Sequence, residues 1–273
     1  MKHLLSALIL LTGTSIHVQA GPIDLTSANI VDLSHTYDAN TLYWPSSPSN
    51  FEHKKLSYGD TDEGFFYSAY ALCTPEHGGT HLDAPIHFYK GRQTVDEISL
   101  KNLFLPAVVI DVSKQASNNR NHRLTVTDIT DFESRHGTIP QGAAILLRTD
   151  WDQFWPTAIS YLGDDTPGKV SNLSFPSFGA EATRFLTVKR GAKLIGVDTA
   201  SIDYGKSQDF PVHQIVAEAN IPALENLTGL SALPATGAYV IALPMKVGGG
   251  SGAPARAVAL ITNQATKQDV RIP

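Results

Sequence analysis

The chain has a single cysteine, Cys73, so no intramolecular disulfide can form. The expected setting for Cys73 is that of a small apolar side chain buried in a strand, with a thiolate ligand or nucleophile as the alternative. Charge is sparse: 17% of residues are charged and the formal net charge is −5. A mildly acidic surface gives no electrostatic reason to expect nucleic acid or an anionic membrane as a partner. There is no internal repeat and no low-complexity linker. After the first twenty residues, no apolar run approaches the roughly 20 residues that span a bilayer.

The first twenty residues have the pattern of a secretory leader. Lys2 supplies a positive start, Leu4 to Leu11 an apolar stretch, and Val18-Gln19-Ala20 a small-residue cleavage site. Residues 1–20 are therefore expected to be a signal peptide, with the mature protein exported to the periplasm or secreted. Cleavage removes Lys2 and no acid, taking the net charge from −5 to −6.

What remains, residues 21–273, suits one domain. Hydrophobic residues make up 42% of the chain, enough for a substantial core. With 21 glycines and 16 prolines, turns are frequent, which favours a sheet-rich or mixed fold over a helical bundle. Strands are expected at Ile30 to Ser34, Phe65 to Leu72, Ala107 to Val112, Ala144 to Arg148, Leu194 to Val197 and Tyr239 to Leu243. Helices are fewer. One carries a capping signature around Thr127 to Glu133. Another runs from Phe178 to Arg190 and stops at Gly191. A third is opened by Pro211 and closed by Asn220 and Pro222. The expected fold is a mixed α/β single domain with helices flanking a sheet.

Three of the ten histidines and one aspartate fall in the run His77-Gly78-Gly79-Thr80-His81-Leu82-Asp83-Ala84-Pro85-Ile86-His87. A helix would turn Asp83 away from the two histidines before it, and Gly78, Gly79 and Pro85 oppose a helix. In an extended chain His77, His81 and Asp83 share one parity and project to one side. Two imidazoles and a carboxylate suit Zn²⁺ or Mn²⁺ with positions left open. A metal there lowers the pKa of its water to ~7 and polarises a carbonyl, which is hydrolytic chemistry. His87 lies beyond Pro85, with its direction reset, and is a candidate general acid/base. Far downstream, His213 and Glu225 could complete a metal site. By residue type alone, they could equally be a packed helix residue and a capping carboxylate.

The run His77-Gly78-Gly79-Thr80-His81-Leu82-Asp83-Ala84-Pro85-Ile86-His87-Phe88 resembles the HxGTHxDxPxHF signature of the metal-dependent cyclase-like hydrolases. That family includes bacterial-type arylformamidases and isatin hydrolases. Asp32-Leu33-Ser34, Leu147-Arg148-Thr149, Asp198 to Asp203 with Phe210-Pro211-Val212-His213, Glu225-Asn226-Leu227 and Gly252-Ala253-Pro254-Ala255-Arg256-Ala257 look like its further blocks. The resemblance implies a swivelling β/β/α fold and a homodimer or higher assembly. It implies that His77, His81 and Asp83 hold a first metal and that His87 carries the proton. In the arylformamidase branch the aspartate bridges to a second metal on a histidine and a glutamate twelve residues apart, a spacing that His213 and Glu225 share. It also implies substrate contact by Trp44, although Ser46-Ser47 stand where the family usually has Gly-Asp. Isatin hydrolases are associated with one manganese, so one or two ions, zinc or manganese, are both open.

Other residues have structural readings beside functional ones. Trp44 is either a pocket wall or packing. Asp203 is expected to be a turn residue, with the orienting of an imidazole as the alternative. Arg256 is expected in a structural ion pair rather than against a substrate carboxylate. The stretch Gly248-Gly249-Gly250-Ser251-Gly252 lacks the lysine of a phosphate-binding loop and reads as a flexible lid or tight turn. The expected activity is metal-dependent cleavage of a carbon–nitrogen bond in a small aryl amide or cyclic amide, an isatin-like lactam in preference. N-formylkynurenine as substrate, and a non-catalytic binding protein, are the alternatives. The leader favours the lactam, because formylkynurenine belongs to cytosolic tryptophan breakdown.

Overall fold

The computed structural model describes residues 28–261. The leader expected over residues 1–20 lies outside the described residues. The strands are β1 (Asn29–Asp32), β2 (Glu52–Asp60), β3 (Phe66–Cys73), β4 (His81–Asp83), β5 (Phe104–Asp111), β6 (Arg123–Leu124), β7 (Ala144–Arg148), β8 (Ser177–Phe178), β9 (Leu194–Val197), β10 (Ala223–Glu225), β11 (Ala238–Pro244) and β12 (Gly252–Ile261). The α-helices are α1 (Ser113–Asn118), α2 (Val126–His136), α3 (Ala158–Leu162), α4 (Ala180–Arg184) and α5 (Pro211–Glu218).

Eight strands form one sheet in the order β1-β12-β11-β5-β7-β9-β10-β4. The short strand β4 pairs on both sides, with β10 and again with β12, so the sheet returns on itself as a barrel. Strands β5, β7, β9 and β10 run parallel, and the other pairings in this sheet are antiparallel.

The central strands read Ala-Ile-Leu-Leu-Arg in β7 and Leu-Ile-Gly-Val in β9. Such continuous apolar runs are what parallel strands covered on both faces require. Successive side chains point to opposite faces. Ala144 and Leu146 therefore join one core, inside the barrel, while Ile145 and Leu147 join another. That second core lies under the helices and includes Ile129 and Phe132 of α2, Ala182 of α4, and Val212 and Val216 of α5. Each such Leu, Ile, Val or Phe side chain, once fully buried, contributes about 1.5–3 kcal/mol. Strand β12 presents Ala253, Ala255, Ala257 and Ala259 to the inner core, where Leu82, Leu146, Leu194 and Leu224 fill the remaining space.

The helices start close to where the sequence places them. Thr125, not Thr127, caps α2, in a capping box with Asp128. The expected helix from Phe178 begins instead at Ala180, after the two-residue strand β8, and its last turn, Phe185–Lys189, is π-helical. Pro211 opens α5 as expected.

Among the described residues, the hairpin β2–β3 pairs only with itself. Leu56, Tyr58, Phe66 and Leu72 are all more than half exposed. Cys73, at its base, is in a strand as expected but exposed rather than buried, because neither face of the hairpin packs on the barrel core.

Candidate active site

The barrel closes at β4, and the site is built at that closure. His81 and Asp83 share one face of β4, while Leu82 between them turns into the inner core. The parity argument thus holds for this pair. His77 arrives differently, through a turn in which Gly79 has φ +55°. There Tyr43 packs against Gly78, and the Tyr37 hydroxyl donates to the carbonyls of Gly78 (2.6 Å) and Thr80 (2.8 Å). A side chain at Gly79 would meet the Tyr37 ring at 2.6 Å.

The structure brings His77, His81, Asp83, His213 and Glu225 together. Asp83 stands in the middle. Its Oδ1 lies 2.7 Å from His77 Nδ1 and 3.2 Å from His81 Nε2. Its Oδ2 lies 3.3 Å from His213 Nε2. Glu225, next in space, places Oε1 3.1 Å from His213 Nε2 and Oε2 3.5 Å from His81 Nε2. The chain folds this way because β10 pairs with β4, setting Glu225 opposite His81, and because α5 ends its first turn at His213.

Charge and burial suit this cluster to holding a cation. Burial alone would raise Asp83, but the facing His77, His213 and His81 hold it well below the usual carboxylate range. Burial would lower His81, but Asp83 and Glu225 reverse this and hold it at about 9. Against the same burial, His213 is raised well above its ordinary value by Asp203, Asp83 and Glu225. The carboxylates thus demand positive charge among them, and a divalent ion meets that demand by displacing the protons. Of the six buried side-chain polar atoms without a hydrogen-bond partner among the described residues, two, His81 Nε2 and Asp83 Oδ2, lie in this cluster. Polar atoms buried this way are rare unless something polar is missing. His81, Asp83 and Glu225, and separately His77, Asp83 and His87, offer ligand atoms within 4.8 Å of one another. The donor set of imidazole and carboxylate fits zinc or manganese.

The cluster opens into a cavity of about 260 Å³. Its apolar wall includes Leu42, Trp44, Phe88, Leu162 and Phe210. Trp44 lies edge-on to Phe175 and Phe210, at 6.4 and 6.1 Å between ring centres, so it is wall and packing at once. His87 follows Pro85 in a 3₁₀ turn and stacks on His77, with ring centres 3.8 Å apart. The residue as a whole remains exposed. Loss of hydration on its packed side lowers His87 to about 4, with Asp83 opposing, so the ring is neutral at pH 7.

The family model described as Cyclase matches residues 31–204. The chain is 31% identical to the isatin hydrolase of Roseibium aggregatum, over 94% of this chain and 99% of that protein. The chain belongs to the cyclase family. It is also 27% identical to the kynurenine formamidase of Salinibacter ruber, over 84% of this chain and 96% of that protein. Among solved structures it superposes on isatin hydrolase A from Labrenzia aggregata bound to benzyl benzoate with a TM-score of 0.80. That match is 33% identical and covers 87% of this chain and 95% of the other.

In this cyclase-family site, several supporting residues were weak or silent in the sequence. Asp203 is no mere turn residue: its Oδ2 accepts from the His213 backbone N–H (3.0 Å) and lies 2.8 Å from His213 Nδ1. Asn226 donates from Nδ2 to the carbonyl of Gly79, which also lies 2.9 Å from His81 Nδ1. Its Oδ1 accepts from the buried Tyr161 hydroxyl, and its own carbonyl accepts from Thr80. An asparagine after a glutamate carries no such signal, because its partners come from two distant segments, Gly79-Thr80 and Tyr161. Arg256 is in the expected ion pair, with Asp32, on the surface.

Proposed function

We propose that this chain is an exported, metal-dependent hydrolase that opens the carbon–nitrogen bond of a small, uncharged aryl lactam of the isatin type. The reaction class is that of an amide hydrolase. The observation that carries the substrate is the cavity wall: apolar side chains, Trp44 among them, beside the carboxylate–imidazole cluster, with no lysine or arginine lining it among the described residues. N-formylkynurenine carries an amino-acid group, whose carboxylate would find no lysine or arginine among the described lining residues. A flat neutral ring fits the aromatic wall.

His77, His81 and Asp83 would hold one ion, and His213 and Glu225, with the other oxygen of Asp83, a second. Zinc and manganese both suit these donors. When bound, the metal supplies an activated water at neutral pH and polarises the amide carbonyl. The chain's own residues do the rest. Trp44, Phe88 and Phe210, packed against one another, would line one side of the ring and keep water from it. His87, neutral and beside the cluster, takes a proton from the attacking water on a ring nitrogen. It then returns the proton to the leaving nitrogen. Water adds across the bond, leaving an aryl amine and a carboxylic acid that ionises by releasing one proton to solvent.

The protein would act as a homodimer, because the β2–β3 hairpin leaves Leu56, Tyr58, Phe66 and Leu72 uncovered. A lone two-stranded ribbon is marginal in water, and an apolar patch of this kind marks an interface. Light scattering at twice the chain mass is the expected result.

The deciding experiment combines elemental analysis of tag-free protein with a screen of isatin, formanilides, N-formylkynurenine and lactones. Two ions per chain and preference for isatin are expected. His81→Ala and His87→Ala variants that both turn over isatin normally would sink this mechanism. Metal uptake with no turnover of any compound would favour a binding protein instead.

A further inference from the structure

The glycine-rich stretch 248–252 reads in the sequence as a lid or a turn, yet the structure ties it down at four points. The Gly249 N–H donates to Asp96 Oδ1 (2.9 Å), and the Gly250 carbonyl accepts from the Val95 N–H (2.9 Å). The Ser251 carbonyl accepts from the Ala84 N–H (2.9 Å), and the Ser251 N–H donates to Glu76 Oε2 (2.9 Å). At the centre of this anchored loop, the Ser251 side chain sits between Glu76 and His77. Its Oγ lies 2.6 Å from Glu76 Oε2 and 2.8 Å from His77 Nε2.

We propose that Ser251, oriented by Glu76, is a positioning residue that holds His77 with its proton on Nε2 and its bare Nδ1 turned to the metal. The argument is one of donors and acceptors. An ionised carboxylate only accepts, so at 2.6 Å the Ser251 hydroxyl proton goes to Glu76. The Ser251 oxygen can then only accept from His77, which places the imidazole proton on Nε2. The other ring nitrogen, Nδ1, hydrogen-bonds Asp83 Oδ1 at 2.7 Å, and an ion bound beside both would take the place of the bridging proton and use the Nδ1 lone pair.

The two glycines flanking Ser251 make this fit possible. A Cβ at Gly250 would meet Glu76 Oε1 at 2.9 Å. A Cβ at Gly252 would meet His77 Cε1 at 2.6 Å and the Leu82 carbonyl oxygen at 2.8 Å. Each glycine clears space for one partner of the serine. His77 then ligates through Nδ1. His81 and His213, whose Nδ1 atoms face the Gly79 carbonyl and Asp203, ligate through Nε2.

The inference rests on the metal centre proposed above, and its test separates the two. Zinc alone is titrated into wild type, Ser251→Ala, Ser251→Thr and Glu76→Ala, with a chelating dye as competitor. Histidine ¹⁵N spectra are recorded on the zinc-loaded proteins, and the melting temperature of each metal-free variant checks its fold. Outer partners of metal-bound histidines typically matter by about 10–100-fold in affinity. Ser251→Ala and Glu76→Ala are expected to lose affinity in that range at the His77 side, and Ser251→Thr to retain it. Wild type and Ser251→Thr should show a slowly exchanging Nε2–H on His77, which Ser251→Ala lacks. Unchanged affinity in Ser251→Ala, or a His77 proton on Nδ1 in loaded wild type, would overturn the relay while leaving the metal centre standing. A wild-type chain that takes up no zinc or manganese would overturn both.

Discussion

His77 and His213 face Asp83 from opposite sides, and they are held in opposite ways. His213 lies on a helix, its side chain 7% exposed, with a buried carboxylate, Asp203, behind its outer nitrogen. His77 lies in a turn, its side chain 25% exposed, with a neutral hydroxyl behind it. The buried side is pre-organised by charge, whereas the outer side is assembled from a loop. The outer side also carries His87 stacked on His77, so the proposed proton carrier sits with the more accessible histidine. A site that must exchange substrate and water has its adjustable half at the mouth and its fixed half in the barrel wall.

The comparison can be broken most severely through the residue both sides share. Asp83→Ala removes the central carboxylate, and turnover should fall by more than the roughly 100-fold upper range for an outer partner. Metal content should fall with it, read by elemental analysis. Asp203→Asn attacks the buried side alone, turning a double acceptor into a mixed donor. Metal affinity there should fall by about 10–100-fold, measured by competition with a chelating dye. A smaller effect distinguishes the sides kinetically. Under mild chelation of wild type, the ion at the His77 side should leave first, so activity should be lost before the second equivalent of metal is released. Simultaneous loss would mean that the two sides are equally held.

The smallest expected effect lies outside the cluster. His35 stacks on Trp155 at 4.2 Å, and burial lowers it to about 4, with Asp152 opposing. The unfolded chain protonates this histidine below about 6.5, while the folded chain refuses the proton. Its contribution to stability is therefore complete above that pH and is lost as pH falls towards 4. His35→Phe keeps the stack and removes the titration. Its melting temperature should fall less than that of wild type between pH 7 and pH 5.

Much of this was legible in the sequence where the causes are local. Strands β7 and β9 fall on the expected residues because an unbroken apolar run leaves few other choices. Strand β12 was silent: alanines, a proline and an arginine do not look like a strand. Yet it pairs with three neighbours and needs small inward side chains for that reason. Strand β2 was hidden by Glu52, Lys54 and Lys55, charges that a sheet tolerates only because this hairpin has no core to face. At the site, His77, His81, Asp83 and His87 stand within eleven residues and announce themselves. Ser251 lies 174 residues from His77, and no spacing rule joins them. The Asp203 contact was only an alternative in the sequence, because a turn aspartate and an imidazole orienter look the same until the fold brings His213 back.

Strand β4 is only three residues long, yet it is paired on both edges and supplies two of the five clustered donors. Joinery offers the right image: the clasp of the barrel and the grip on the ion are one piece. Loading the ion should therefore tighten the seam of the sheet, adding stability by mass action. The amide protons of His81, Leu82 and Asp83 then become a built-in gauge, exchanging with solvent slowly when the centre is filled and faster when it is stripped.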